Sequence, residues 1–509
     1  MGSAIAAGND QTAAAGERIA REGGNAVDIA VGAALSATLC EMLMCSLGGS
    51  GFVCLRLPDG SAEVIEGADA VPGRGRRLHP SEIDFREAHL PYGDGITVRV
   101  GHGTVAVPGL LGALACAHRR HGRLPWREVM APALELAAAG WRAVPIMCRW
   151  LEMTGEAIFE RQRASRECFL PGGRVPRPGE TFSVSKLVDT YDTIAREGER
   201  SFYQGDLARA FAGEMQDHGG QVTREDLACY RAAVRRPLSL SSGGFLLALN
   251  PPPALGGSAL GALVGLLALR WRPDMAESER AQLHARAQSY VLGLRERTLA
   301  REDFGEAAAR SLLSAPVLAR HADVMRSEHT THLSVATDDG AVVGVSMSMG
   351  YGAGVTIPGT GIPCNNSAGE PELNPRGFGA GEPGERFVSN MAPTVAWHPD
   401  GRALALGSPG ASRITTAIAQ TWVRHALEGA SMEEAVAAPR LHVEDWADGL
   451  RVQCEPGIDP SLLSDGFRVR PFESLDFFFG GVQLAGRDGR GVLHAVADPR
   501  RDGDARVLD

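Results

Sequence analysis

The chain has 509 residues, of which 44% are hydrophobic and 22% are charged. Both fractions are typical of globular proteins, so wholesale disorder is excluded, and the length allows one large unit or about three domains. The 51 basic and 61 acidic residues give a net charge of −10 without a basic block, which disfavours nucleic acid and anionic membranes as partners.

The first 60 residues predict two helices and a strand. Asp10 is placed to cap a helix over residues 11–22. Asn25 and Asp28 then have the spacing of a capping box, and the helix after them is apolar almost all round, which indicates a core helix. A strand is predicted for residues 52–57.

Residues 105–315 are predicted to be mostly helical, whereas after about residue 330 the hydrophobic period changes to two, which predicts strands. Residues 332–337 and 341–349 flank Asp338-Asp339-Gly340, a strong hairpin signal. The chain shows no internal repeat, so we expect helices and sheets interleaved in one unit. The other predicted helices are 110–121, 126–139, 185–197, 205–218, 277–301 and 414–427, and the other predicted strands are 394–398, 403–406, 468–472 and 481–484.

The cysteine and histidine patterns argue against disulfides and metals. The nine cysteines include no C-x-x-C pair, and the 14 histidines are scattered without an H-E-x-x-H motif. The start of the sequence lacks the features of a secretory signal, and the longest apolar stretch, residues 33–47, is too short to span a bilayer. We therefore expect a cytoplasmic protein with no metal, no cofactor and no membrane contact.

One segment matches the sequence pattern of a nucleotide-binding loop but not its expected structural context. Residues 379–384 fit G-x-G-x-x-G, but Pro383 and the upstream Asn374-Pro375 disfavour the flanking strand and helix that such a loop needs. A plain turn is the preferred interpretation. The sequence contains neither a P-loop motif nor a G-x-S-x-G elbow.

The segment with the most unusual chemical content is residues 327–335, Ser-Glu-His-Thr-Thr-His-Leu-Ser-Val. Threonines are good strand formers, so a purely structural strand also explains this run. In the predicted hairpin, however, positions summing to about 678 or 679 face each other, which places Thr330 and Thr331 opposite Ser348 or Met349. If the chain were cut before Thr330, its new α-amine, with an ordinary pKa of about 7.7–8.0, could act as a base for a hydroxyl nucleophile.

The chain resembles the γ-glutamyltranspeptidase family of N-terminal nucleophile hydrolases over nearly its whole length. The matching blocks are residues 22–28, 47–52, 105–109, 330–335, 358–361, 365–366, 391–394, 407–413, 438–440 and 498–500. The resemblance implies an α+β fold, the four-layer αββα sandwich, made as a precursor that cuts itself between His329 and Thr330. Segments 1–329 and 330–509 would then be a large and a small subunit intertwined in one domain. A dimer of such heterodimers is left open.

The resemblance also implies catalytic roles. Thr330 takes the role of the nucleophile, with its own α-amine as the base. Ser348 matches the family's second threonine, which orients that amine. The backbone N–H groups of Gly410 and Ala411 match the oxyanion hole, and a main-chain donor tolerates alanine in place of glycine.

Substrate recognition is where the sequence departs from the family. The glutamyl-specific members hold the substrate's α-carboxylate with an arginine, and Ala68 stands at that position here. Gly350 stands where an asparagine is expected. Glu370 fits either an ammonium partner or a solvated loop. Five residues match positions that bind substrate in the family: Asn366, Ser367, Glu370, Ser389 and Asn390. A hydrogen-bonded turn explains Ser389 and Asn390 equally well.

Three functions follow as hypotheses. The leading one is an autoprocessed amidohydrolase that acts on a small metabolite through an acyl-enzyme on Thr330, with C–C cleavage beside a ketone left open. The second is ordinary γ-glutamyl or glutathione chemistry, against which the missing arginine weighs. The third is a non-catalytic binding protein that keeps the fold, against which the retention of Thr330 and Ser348 weighs.

Overall fold

The computed structural model describes residues 1–76, 78–91, 95–294, 304–314, 330–374, 376–410, 412–446, 449–464 and 466–509. Its strands are β1 (Ser3–Ala7), β2 (Ser50–Arg56), β3 (Ala62–Gly67), β4 (Arg86–Leu90), β5 (Ile96–Val100), β6 (Trp141–Arg142), β7 (Thr181–Phe182), β8 (Ala233–Arg235), β9 (Leu238–Ser242), β10 (Phe245–Leu249), β11 (Thr331–Thr337), β12 (Val342–Ser348), β13 (Thr356–Ile357), β14 (Ile362–Pro363), β15 (Thr394–Trp397), β16 (Ala403–Gly407), β17 (Leu441–Trp446), β18 (Gly449–Cys454), β19 (Arg468–Pro471), β20 (Gln483–Arg487), β21 (Leu493–Val496) and β22 (Asp504–Leu508). Its α-helices are α1 (Asp10–Arg21), α2 (Ala26–Cys40), α3 (Leu110–His121), α4 (Trp126–Ala139), α5 (Pro145–Phe159), α6 (Arg163–Phe169), α7 (Ser185–Glu197), α8 (Arg200–Tyr203), α9 (Asp206–Asp217), α10 (Arg224–Cys229), α11 (Leu255–Arg270), α12 (Glu277–Leu294), α13 (Glu306–Leu312), α14 (Arg413–Trp422) and α15 (Met432–Ala437).

Two antiparallel sheets form the centre of the molecule. The first runs β22-β1-β11-β12-β2-β3-β8 and the second runs β21-β20-β16-β15-β10-β9. Both sheets contain strands from before and after residue 330, as the predicted intertwined subunits would require. The division itself at residue 330 stays a prediction.

The alternation of side chains along the strands creates four layers. On β2, Val53 and Leu55 pack under helices, whereas Phe52 and Cys54 face the other sheet. The residues between the sheets are mostly small, which lets the two sheets approach closely. Helices α1, α2 and α3 cover the outer face of the first sheet, and α4 packs on α1 and α2. Helices α11 and α14 cover the outer face of the second sheet, and α12 packs on α11. The predicted α+β fold, an αββα sandwich, is therefore confirmed.

Local capping explains the two helices next to the central sheet. The Asn25 side chain accepts hydrogen bonds from the Val27 and Asp28 amides in a capping box, and every residue of α2 is buried, as predicted. The cap of α1 was predicted wrongly. Asn9 is the N-cap, because its side chain accepts from the amides of residues 11 and 12, and Asp10 is already helical.

The predicted helical region also contains strands. The bounds of α3, α4 and α7 are as predicted, but β8, β9 and β10 lie within residues 105–315, where strands were not predicted. Helices α5 and α11 were also missed. The predicted helix over residues 277–301 is seen as α12, and the part beyond Leu294 lies outside the described residues. None of the described helices has the length and hydropathy needed to cross a membrane.

A buried ionic network explains two of the sequence blocks near the C-terminus. Arg440 donates to Asp498 at 2.6 Å. The Arg500 guanidinium lies 3.1 Å from Asp498 and 2.5 Å from Glu455. Residues 438–440 and 498–500 therefore meet in the core, where each charge depends on its partners because water does not reach it.

Candidate active site

The hairpin of β11 and β12 brings two hydroxyl side chains together. Thr331 pairs with Met347, so the register sum of 678 is confirmed, while the expectation that Thr331 faces Ser348 or Met349 is wrong. Continuing the register by one residue places Thr330 opposite Ser348, and directly opposed residues share a face of the sheet. Both residues line a small cavity of about 30 Å³. His329, on the other side of the predicted cut, lies outside the described residues.

The cavity collects most of the residues that the sequence singled out. Its other lining residues come from the end of β3, from the start of β2, and from the loops after β12 and before β15. Six predicted site residues line it: Thr330, Ser348, Ser367, Glu370, Ser389 and Asn390.

Two predicted site residues do not line the cavity, and a third lies outside the described residues. Asn366 is buried, but its amide holds backbone, accepting from the Tyr351 N–H at 2.9 Å and donating to the Arg99 carbonyl at 3.3 Å. Gly410 does not line the cavity; it lies in the loop between β16 and α14. Its φ is +116°, and an added Cβ would lie 2.9 Å from the Cα of Gly480. Ala411 lies outside the described residues, so the oxyanion hole stays a prediction.

Glu370 is a buried acid of the cavity and not part of a solvated loop. Its side chain lines the cavity, the residue is 3% exposed, and its Oε1 has no hydrogen-bond partner within the described part of the chain. Burial raises the pKa of Glu370 well above the usual carboxyl value, and the nearby acids Glu372 and Asp69 raise it further. The solvated-loop alternative is therefore wrong.

Gly350 makes room for this acid. A Cβ on Gly350 would lie only 1.7 Å from Oε1 of Glu370 and 2.4 Å from Oδ1 of Asn366. Its φ of +64° is also one that side-chain-bearing residues rarely adopt. The observed position of the Glu370 side chain therefore requires glycine at position 350, where the family has an asparagine.

Asp69 is a second buried carboxyl of the cavity, and its role was not predicted from the sequence. Its Oδ2 accepts a hydrogen bond from the Ser367 hydroxyl at 2.6 Å. Burial raises the pKa of Asp69 to about 7, against the opposing effect of that hydroxyl. Its position directly after Ala68, which stands where the family has its arginine, was the signal that could have found it.

Among the described residues that line the cavity, none takes the place of the family's arginine at position 68. The described lining includes no lysine and no arginine. The guanidinium of Arg386 is close by, but it donates to the Ala68 carbonyl at 3.0 Å and lies 3.5 Å from Glu66. It also stacks over the ring of Tyr230. The described wall of the cavity is therefore acidic.

Ser389 and Asn390 combine the two roles that the sequence left open. The Ser389 hydroxyl accepts from the Met391 N–H at 3.2 Å, which is a turn contact. The Asn390 Oδ1 is buried without a hydrogen-bond partner among the described residues. Both side chains line the cavity, so this turn presents an acceptor to whatever enters.

Glu41 supports β11, the strand that begins directly after Thr330. Its carboxylate accepts from the Thr331 hydroxyl at 2.5 Å, from Asn9 at 2.9 Å and from Thr12 at 3.0 Å. Burial raises the pKa of this carboxyl. A single acid within the otherwise apolar residues 33–47 was the signal that could have found this residue.

The raised pKa of Asp69 predicts a pH-dependent stability. An unfolded aspartate has a pKa of about 3.9, so between about pH 4 and about pH 7 the folded state keeps a proton that the unfolded chain releases. This carboxyl therefore makes folding less favourable as the pH rises through that window, and no further change comes above it. We expect Asp69→Asn to remove the effect.

The measurement is the melting temperature of wild type and variant from about pH 4 to about pH 8. The difference, variant minus wild type, should grow up to neutrality and then stay level. Asp59→Asn, which changes an exposed carboxyl, is the control. A difference that does not change with pH would show that Asp69 does not titrate in this window.

The sandwich and the facing hydroxyls define an enzyme of the N-terminal nucleophile hydrolase class. The chain belongs to the γ-glutamyltranspeptidase family, because that family's profile, Gamma-glutamyltranspeptidase, matches residues 12–508.

Named relatives of this chain fall into two groups. The glutathione hydrolase proenzyme of Escherichia coli K12 is 28% identical over 95% of this chain and 88% of the relative. The acylase ACY 1 proenzyme of Pseudomonas sp. SE83 is 29% identical over 96% of this chain and 90% of the relative. Among solved structures, cephalosporin acylase from Bacillus halodurans superposes with a TM-score of 0.81 at 25% identity, over 99% of this chain and 95% of that chain.

Proposed function

We propose that this protein cuts its own chain before Thr330 and then hydrolyses an amide of a small molecule whose acyl group is not γ-glutamyl. The observation that carries the proposal is the cavity itself, where Thr330 and Ser348 meet two buried carboxyls and no described cation. The proenzyme names of the glutathione hydrolase and acylase relatives support the processing step.

The proposed reaction uses groups that the cut would supply. The Thr330 hydroxyl attacks the amide carbon, and its proton passes to the new α-amine and from there to the leaving amine. The C–N bond breaks and an ester forms on Thr330. Water then attacks the ester under the same base, releasing the acid and restoring the hydroxyl.

The charge of the cavity argues for an acyl group without a carboxylate. The raised pKa values of Glu370 and Asp69 show that this cavity disfavours uncompensated negative charge, and its described lining offers no cation to balance a substrate carboxylate. An amine would instead find unsatisfied acceptors at Glu370 Oε1 and Asn390 Oδ1. The cavity thus favours the acylase side of the family over the glutathione side.

Four p-nitroanilides that differ in single groups test this proposal. The γ-glutamyl compound carries both an amine and a carboxylate, 4-aminobutyryl has only the amine, glutaryl has only the carboxylate, and butyryl has neither. We expect kcat/KM for 4-aminobutyryl to exceed that for γ-glutamyl by about tenfold or more, and glutaryl to be the poorest.

The same series separates the competing functions. A preference for the γ-glutamyl compound would show ordinary γ-glutamyl chemistry despite Ala68. If none of the four anilides were hydrolysed, and none left an acyl adduct on the small subunit by mass spectrometry, amide hydrolysis of such acyl groups would be contradicted. C–C cleavage would then be the remaining enzymatic hypothesis.

A further inference from the structure

Histidine and carboxylate side chains meet at a second, larger cavity that the proposed reaction does not use. This cavity has a volume of about 300 Å³, and His102 and His218 are among its lining residues. His102 follows β5, and His218 directly follows α9. More than 100 residues separate the two histidines, so no short sequence motif announces the cluster.

Glu214 joins the two histidines. Nε2 of His102 lies 2.9 Å from Oε1 of Glu214, and Nδ1 of His218 lies 3.6 Å from the same oxygen. One ligand atom from each of the three residues falls within 4.8 Å of the others. Glu214 and His218 are four residues apart at the end of α9, a spacing that puts two side chains on one face of a helix.

We propose that His102, Glu214 and His218 form a binding site for a divalent transition metal of the Zn²⁺ type. Zinc bonds of about 2.0–2.1 Å in tetrahedral geometry separate neighbouring ligand atoms by roughly 3.3 Å. The two separations here, 2.9 and 3.6 Å, bracket that value. The His218 side chain is 55% exposed and can rotate to close the third side.

The surroundings of His102 are those of a metal-binding histidine. Its Nδ1 lies 2.9 Å from Oδ2 of Asp84, and the same carboxylate oxygen accepts from the His102 backbone N–H at 3.0 Å. A carboxylate on the far nitrogen fixes the ring and directs Nε2 to the metal. Gln162 donates to Glu214 Oε1 at 2.8 Å and so fixes the third ligand.

The donor set and the cavity select the metal. Two imidazoles and one carboxylate suit Zn²⁺ and its neighbours, whereas Ca²⁺ and Mg²⁺ prefer oxygen alone. Nδ1 of His218 would exchange its 3.1 Å contact with the Glu214 carbonyl for the metal. The fourth position would open into the cavity, whose wall also carries Arg86 and Arg161, so an anionic ligand such as hydroxide suits it.

The proposed metal site is separate from the acidic cavity, but β5 contributes to both regions. β5 ends at Val100 just before His102, and the carbonyl of Arg99 on the same strand accepts from Asn366. The metal site does not depend on the proposed hydrolysis, because binding can be measured on a protein that is not turning over any substrate.

Zinc titration of chelator-treated protein tests the site. We expect one Zn²⁺ per chain by calorimetry, and visible absorption of a four- or five-coordinate ion when Co²⁺ replaces it. His218→Ala should lower the zinc affinity at least tenfold, and Asp84→Asn should lower it by about 10- to 100-fold through the loss of ring orientation. The exposed histidine variant His79→Ala should bind as wild type does.

Glu214→Gln keeps the shape of the side chain and serves as the second test of the ligand set. His218→Ala changes a half-exposed side chain, so this variant should also fold. Circular dichroism of both variants before the titration checks that they keep the native fold. No stoichiometric zinc binding by wild type would overturn the proposal. Equal affinity in wild type, Glu214→Gln and His218→Ala would overturn it as well, since the zinc would then be held elsewhere.

Discussion

Thr330→Ala should give a folded, uncut chain of 53.8 kDa without hydrolytic activity. The reason is that self-cleavage and substrate turnover both need the Thr330 hydroxyl as the attacking group. Denaturing electrophoresis gives the readout. Since 509 residues weigh 53.8 kDa, the wild type should yield bands of about 35 and about 19 kDa, and the variant should yield one band.

Ser348→Ala is the matched comparison for this result. Ser348 is proposed to orient the α-amine and not to attack, so its variant should still fold and should lose part of kcat/KM, not all of it. If Thr330→Ala were still cut between residues 329 and 330, Thr330 would not be the nucleophile, and Thr331 would become the candidate. An unchanged kcat/KM in Ser348→Ala would remove Ser348 from the site.

Arg500→Ala should be among the most destabilising substitutions in the chain. The guanidinium is fully buried between Asp498 and Glu455, and its removal leaves Glu455 without its ion-pair partner and Asp498 with Arg440 alone. Breaking a buried ion pair from one side costs about 3–5 kcal/mol of unfolding free energy. Urea denaturation of the purified protein, followed by intrinsic fluorescence, measures the change.

Arg163→Ala is the control for this prediction. Arg163 pairs with Glu167 across one helical turn, but its side chain is 84% exposed. Such surface pairs contribute about 0–1 kcal/mol, so this variant should unfold close to wild type. Equal unfolding midpoints for the two variants would mean that the buried network does not stabilise the fold as described.

Features set by neighbours in the chain could be predicted from sequence. The capping box of Asn25 and Asp28 and the hairpin around residues 338–340 depend on spacings of two to four residues, and the structure shows both. The β9–β10 hairpin carried a similar signal, because Gly243-Gly244 separates the alternating leucines and serines of β9 from the apolar run of β10. It was missed because helices surround it.

The chemistry of the acidic cavity could be predicted only in part. The resemblance to the family marked Thr330, Ser348 and Glu370 by position. Whether Glu370 is solvated or buried depends on the space left by Gly350, which is a contact between two loops. The pKa of Asp69 likewise follows from burial, which only the packed structure reveals.

The His102 cluster shows the limit of motif reasoning. Scattered histidines predicted no metal, because each was judged against short ligand spacings. In the structure 112 residues separate His102 from Glu214, yet their side chains are in contact. Only the packing of the folded chain brings these side chains together.

The amino-terminal sequence of the small subunit tests the central claim most directly. Active enzyme is separated by electrophoresis, and the smaller band is sequenced from its amino end. The account predicts Thr-Thr-His-Leu-Ser-Val, which begins at Thr330. Fully active protein whose single detectable amino end is that of the intact chain would contradict the account, because no α-amine would then lie beside the Thr330 hydroxyl.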